Sequence, residues 1–139
     1  MYNNLIENLT EFIQTLENPE KKYHYFPVLL GATPKGKKVE LGFTCYAMKC
    51  YFMLNKWEKL DLEVKEDWVS YINSFQSRNK KFPDSSYIDN VVLDDYESFN
   101  LKKGLKNFIK FSANTMGVKS YELEKQKLNK TIVAETKQA

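Results

Sequence analysis

Turn formers are scarce in this chain, with five glycines and four prolines in 139 residues. An all-β domain needs turn residues at short, regular intervals, so their scarcity argues for helix. Histidine occurs once, at His24, and cysteine twice, at Cys45 and Cys50. No Cys–His spacing supports a zinc site, and no metal or other cofactor is expected. The two cysteines fall in one expected helix, five residues apart. That places them about 140° apart around its axis, so they cannot bridge each other there. Free thiols suit a reducing compartment. No run reaches the ~18 apolar residues of a membrane span. The N-terminus MYNNLIENLTEF carries acids and lacks a basic stretch ahead of an apolar core, so it is no secretory signal. A cytoplasmic location is expected.

Aromatics are abundant, with nine Tyr, nine Phe and two Trp. Length predicts one domain over 1–139. The net charge of +3 is too small to imply nucleic acid, but it is unevenly spread. Residues 82–100 hold Asp84, Asp89, Asp94, Asp95 and Glu97 with no Lys or Arg, a net of −5. Residues 101–139 hold nine lysines against three glutamates, a net of +6. Two adjoining segments of opposite sign can attract each other, or can both be solvated faces.

Apolar periodicity predicts a series of helices. The first covers Asn4 to Leu16, with Leu5, Ile6, Leu9, Phe12, Ile13 and Leu16 on one face. A short apolar run with Tyr23, Tyr25 and Phe26 follows. The string GATPKGKK then has the glycine spacing of a phosphate loop at Gly31 and Gly36. Lys38 stands where a hydroxyl should hold Mg²⁺, so an ordinary basic loop is expected. The second helix runs from Val39 to Leu54 and is apolar on nearly all sides, which predicts a central, buried helix. Trp57 follows in a short connection or helix tail. The third helix spans Leu62 to Ser77, with Asp61 as N-cap. The second and third helices should form a hairpin. Residues 82–100 read as an acidic loop or short helix. The fourth helix is expected from Leu101 to Ser112, with Leu105, Phe108, Ile109 and Ser112 facing inwards and Lys102, Lys103, Lys106 and Lys110 facing water. A short helix over Tyr121–Leu128 and another from Thr131 complete the series. The last has begun an apolar stripe when the sequence ends, so the chain is expected to be the N-terminal part of a longer protein.

The most informative stretch is Trp68 to Asp84. Trp68, Tyr71, Ile72 and Phe75 recur at helical spacing. A polar run then leads to Phe82-Pro83, where Pro83 biases Phe82 away from helix. An apolar inner helix beside an amphipathic outer one, ending in Gln76 and a turn with an aromatic, resembles the α/α toroids of the terpenoid-cyclase and prenyltransferase-like repeat family. Ile72, Phe75, Gln76 and Phe82 carry the resemblance, which covers Leu41 to Asp84. Asn79, Lys80 and Lys81 replace the Asp-Gly-Gly usual in that turn. The resemblance implies an all-α array of antiparallel helix hairpins, incomplete here because one repeat cannot bury its faces alone.

The family's chemical motifs do not carry over. Leu93-Asp94-Asp95 lacks the first Asp of the cyclase acid motif, and Asp94-Asp95-Tyr96-Glu97-Ser98 ends in Ser where a metal-binding motif needs Asp. No catalytic residue is therefore expected in this segment. Asp94, Asp95 and Glu97 read as a solvated cluster before a cation site. The first functional expectation is a helical-array domain with a structural or ligand-binding role. Trp57, Trp68 and His24 are its candidate ligand-binding residues, each weighed against plain packing. The second is a non-catalytic part of a toroid enzyme acting on an isoprenoid or glycan, and the third a basic helical module that binds nucleic acid. A small-molecule or protein partner is favoured over nucleic acid, and no membrane partner is expected.

Overall fold

A computed structural model describes residues 2–77, 82–97, 101–117 and 122–139. These residues are all-α. They form α1 (Tyr2–Thr15), α2 (Leu41–Met53), α3 (Leu62–Asn73), α4 (Asn90–Glu97), α5 (Leu101–Thr115) and α6 (Glu124–Gln138). Single 3-10 turns occur at Gly36–Lys38 and Trp57–Lys59. No strand occurs among the described residues, though two antiparallel bridges pair Glu17 with Tyr25 and Gln76 with Tyr87.

Those bridges repeat one local design. After α1, the Phe26 N–H donates to the Leu16 carbonyl at 2.8 Å and the Asn18 N–H to the His24 carbonyl at 2.7 Å. After α3, the Ile88 N–H donates to the Phe75 carbonyl at 3.0 Å and the Ser77 N–H to the Ser86 carbonyl at 2.6 Å. Each helix end thus folds back through one bridged pair before the next helix starts. Backbone groups leaving a helix need partners, and each bridge supplies them. Gln76 sits at the second bridge, so it marks the turn that the sequence predicted.

The main core gathers Tyr23, Tyr25, Leu41, Cys45, Ala47, Tyr51, Trp57, Trp68, Ile72 and Phe75. Trp68, Ile72 and Phe75 are buried on the face their spacing gave them. A smaller cluster joins Phe82, Ile88, Leu128 and Ile132. It docks α6 onto the segment before α4.

Several expectations need correction. The helix α2 is only partly central, because Tyr46, Phe52 and Met53 are exposed while Leu41, Thr44, Cys45, Ala47 and Tyr51 are buried. A helix apolar all round can leave one side open, since its sequence marks no preferred face. The helix α3 ends at Asn73, and Ser74 Oγ donates to the Tyr71 carbonyl as the chain turns. Asp61 is extended at its start but makes no side-chain cap bond. The fourth expected helix is α5, and it does not face inwards. Leu105, Phe108 and Ile109 are 64%, 67% and 59% exposed, because no other helix covers that stripe among the described residues. The two expected C-terminal helices are one, α6, since Leu128 and Ile132 continue a single stripe one turn apart. The Asn79-Lys80-Lys81 turn, Tyr121 and the side chains of Asp95 and Glu97 lie outside the described residues. Among the described residues, ion pairs join Lys21 to Glu40, Lys65 to Glu58 and Lys130 to Glu122. None of these joins the acidic segment to the basic one. No described helix is long and apolar enough to cross a membrane.

Candidate functional site

Trp68 is 2% exposed and lies at the centre of an aromatic cluster. Its spacing on α3 turns it inwards, onto the chain that leaves α1. There the backbone between Glu17 and Tyr25 folds back on itself, which presents Tyr23 and Tyr25 to the indole. Tyr23 stacks with Trp68 at 5.4 Å between ring centroids and 22° between planes, and Tyr25 at 5.6 Å and 14°. Tyr51 of α2 meets it edge-on at 5.2 Å, and Trp57 lies tilted at 5.8 Å. Offset and edge-on pairs of this kind each add about 1 kcal/mol beyond simple burial.

Tyr23 adopts a left-handed backbone, φ 62°. That conformation is costly for a bulky residue and persists only when its surroundings fix it. Here the Tyr23 N–H donates to Glu17 Oε1 at 2.8 Å, and Thr44 Oγ1 of α2 donates to the Tyr23 carbonyl. The bridge and α2 together hold the ring in place.

A cleft of about 470 Å³ opens beside this cluster. Its wall is Trp68, Tyr23, Tyr25 and Tyr51, with Leu60 and Val64. Its rim is polar, from Gln14, Glu17, Asn18 and Lys22. Burial, with the Glu17 carboxylate and neighbouring tyrosines next, pushes the Tyr25 hydroxyl well above the usual tyrosine range. Burial also raises Tyr51, against a hydrogen bond with Gln14. Both hydroxyls therefore stay protonated at neutral pH and can donate as well as accept. Two polar atoms of wall residues, Tyr23 OH and Trp68 Nε1, are buried without a hydrogen-bond partner among the described residues. Such groups are uncommon and each costs about 1–3 kcal/mol when left unpaired.

The three candidates from the sequence separate. Trp57 and Trp68 come together, but only Trp68 lines the cleft. Trp57 is buried and stacks with Phe52 at 4.6 Å. His24 is buried outside the cleft lining, edge-on to Phe26 at 5.1 Å. Asn18 Oδ1 accepts from the Glu20 N–H, so its amide nitrogen donates to His24 Nδ1 at 3.1 Å. The imidazole proton then sits on Nε2, which has no partner among the described residues. Sequence reading missed Gln14, Glu17, Tyr23, Tyr25 and Tyr51. The run Tyr23-His24-Tyr25-Phe26 was the available signal, since aromatics concentrated in a connection between helices have to pack against something.

A second polar centre joins the helix starts. Asp89 Oδ2 accepts from the Glu40 and Leu41 N–H groups at 2.7 and 2.8 Å, and Oδ1 from the Val91 N–H at 3.1 Å. The Asp89 N–H donates to Glu135 Oε2 of α6 at 2.9 Å. Glu40 accepts from Lys21 Nζ at 2.7 Å and from the Tyr71 hydroxyl at 2.7 Å. Burial disfavours the Glu40 charge, but those two partners outweigh it and hold its carboxyl below the usual range. These acids serve backbone and lysine. No group of three or more His, Cys, Asp or Glu among the described residues is arranged to hold a metal ion.

No protein family, characterised protein or solved structure matches the chain. The function must be argued from the cleft itself.

Proposed function

We propose that the chain is a ligand-binding helical module and that its ligand lies in the Trp68 cleft. The observation that carries this reading is the cleft itself, about 470 Å³ with Trp68, Tyr23, Tyr25 and Tyr51 as its wall and Gln14, Glu17, Asn18 and Lys22 at its rim. An aromatic wall with a rim of mixed donors and acceptors suits a neutral ring that has a C–H face and hydroxyls around it, such as a sugar residue. Apolar pockets with a few placed polar groups are the usual form of small-molecule sites.

The module reads further as part of an α/α-toroid-like array. Two successive helix–bridge–helix units support that arrangement, α1 to α2 and α3 to α4, each closed by the same pair of backbone bonds. The helices α2 and α3 also pack against each other, as the sequence led one to expect. An enzymatic role in such an array would draw on acids at the starts of α2 and α4. Glu40 and Asp89 stand there, but their oxygens already accept from Lys21, Tyr71 and backbone N–H groups. Binding is therefore favoured over catalysis for this segment.

The test is a titration of the chain with a panel of neutral oligosaccharides, followed by tryptophan emission. Binding should change the emission saturably, and Gln14→Ala at the rim should weaken the response about 3- to 10-fold, the loss of one hydrogen bond. An emission that no glycan alters would remove the sugar assignment.

A further inference from the structure

We propose that α5 is a membrane-surface helix that docks on an anionic bilayer. The inference rests on α5 alone and stands apart from the cleft. No described residue of α5 is buried, and Leu105, Phe108 and Ile109 are all more than half exposed. At helical spacing these three fall within about 100° of the circumference. Lys106 and Lys110 lie about 40° apart on the adjoining arc, and the sequence adds Lys102 and Lys103 in the first turn of the helix. The helix contains no Asp or Glu.

A strong apolar face beside a basic face, at low overall hydrophobicity, is the pattern of helices that lie in the bilayer interface. The charge selects the surface, since anionic headgroups complement the lysines of this helix. Crossing is not at issue. Fifteen helical residues extend about 22 Å, short of the ~30 Å hydrocarbon layer. Nucleic acid would engage the lysines and leave Phe108 and Ile109 in water. A bilayer takes up both faces at once. Beside the helix, a groove of about 570 Å³ lined by Phe108, Phe111 and Leu123 extends the apolar surface towards the start of α6. Glu122, close to that start, is already paired with Lys130 at 2.6 Å.

The experiment is co-flotation of the whole chain with vesicles of phosphatidylcholine alone or with added phosphatidylserine. Binding should require phosphatidylserine and weaken with salt. Lysines at an anionic surface contribute about fivefold each in partition, so Lys106→Gln with Lys110→Gln should lower it about 25-fold. Phe108→Ser with Ile109→Ser should abolish flotation while the circular dichroism spectrum stays unchanged, because both side chains are exposed. Three results overturn the proposal. One is equal or absent binding to both vesicle types. Another is a lipid-free dimer that dissociates in the Phe108→Ser, Ile109→Ser variant, which would make a second copy the occupant. The third is binding to duplex DNA or RNA that survives that variant, with no flotation.

Discussion

Asp89 is 1% exposed and divides its carboxylate among three backbone N–H groups. Two belong to the start of α2 and one to the start of α4, where the first turns of a helix leave donors unpaired. Its own N–H reaches Glu135 on α6. One residue thus fastens three helices. Replacing it with Ala strands buried donors, and Asp89→Ala should cost about 3–5 kcal/mol in a urea melt. Asp89→Asn keeps one acceptor oxygen and should cost less. Trp68 is the corresponding apolar case. Trp68→Ala empties the centre of the aromatic cluster and should also cost about 3–5 kcal/mol. The bonds from Asp89 to Glu40 and Leu41 were not legible in the sequence, because those residues lie 49 and 48 positions away and no local pattern relates them; the bond to Val91, two residues on, is a local helix-start contact.

Among the elements, α6 is held most conditionally. Leu128 and Ile132 anchor it in the smaller core, and Thr136 Oγ1 accepts from the Tyr87 N–H at 3.0 Å. Lys49 Nζ of α2 donates to the Gln138 carbonyl at 3.0 Å. Glu135 lies between. Burial, with the Asp89 charge adding to it, pushes its carboxyl up to about 7, against a hydrogen bond from the Asp89 backbone that favours the ionised form. The folded state therefore binds this proton more tightly than the unfolded chain does. The stability that Glu135 contributes is full below its ordinary carboxylate range and is lost as pH rises through about 7. Glu40 runs the other way. Its lowered pKa contributes stability above the ordinary range, which is lost on acidification. Hydrogen exchange in α6 should accordingly quicken beyond the intrinsic rate as pH rises through about 7. Glu135→Gln, which keeps an acceptor for Asp89, should flatten that dependence. An equal pH dependence in both proteins would show that Glu135 is not the group responsible.

For the whole molecule, the all-α class and the inward face of α3 were legible because both rest on local periodicity. Trp68, Ile72 and Phe75 took the side their spacing assigned. The failures share a different cause. Leu105, Phe108 and Ile109 form as good a stripe as any, yet periodicity says which face is apolar and not whether another element covers it. At the C-terminus α6 runs unbroken through Asn129 and Lys130, both on its exposed side, where two helices were expected. The cleft was legible only through Trp68. Much of its remaining wall comes from Tyr23 and Tyr25, placed by a bridge between Glu17 and Tyr25 that no helical or strand period announces.

The central claim is that the opening beside Trp68 is a ligand site. Its most direct test is an amide-resolved NMR titration of the chain with the neutral oligosaccharides that alter tryptophan emission. The account expects saturable shifts confined to the backbone around Gln14–Asn18 and Lys22–Tyr25, together with the Trp68 indole N–H. It also expects those shifts to weaken in Gln14→Ala, while the signals of α5 stay in place. Saturable shifts that leave the Trp68 indole N–H unmoved and gather elsewhere on the chain would contradict it.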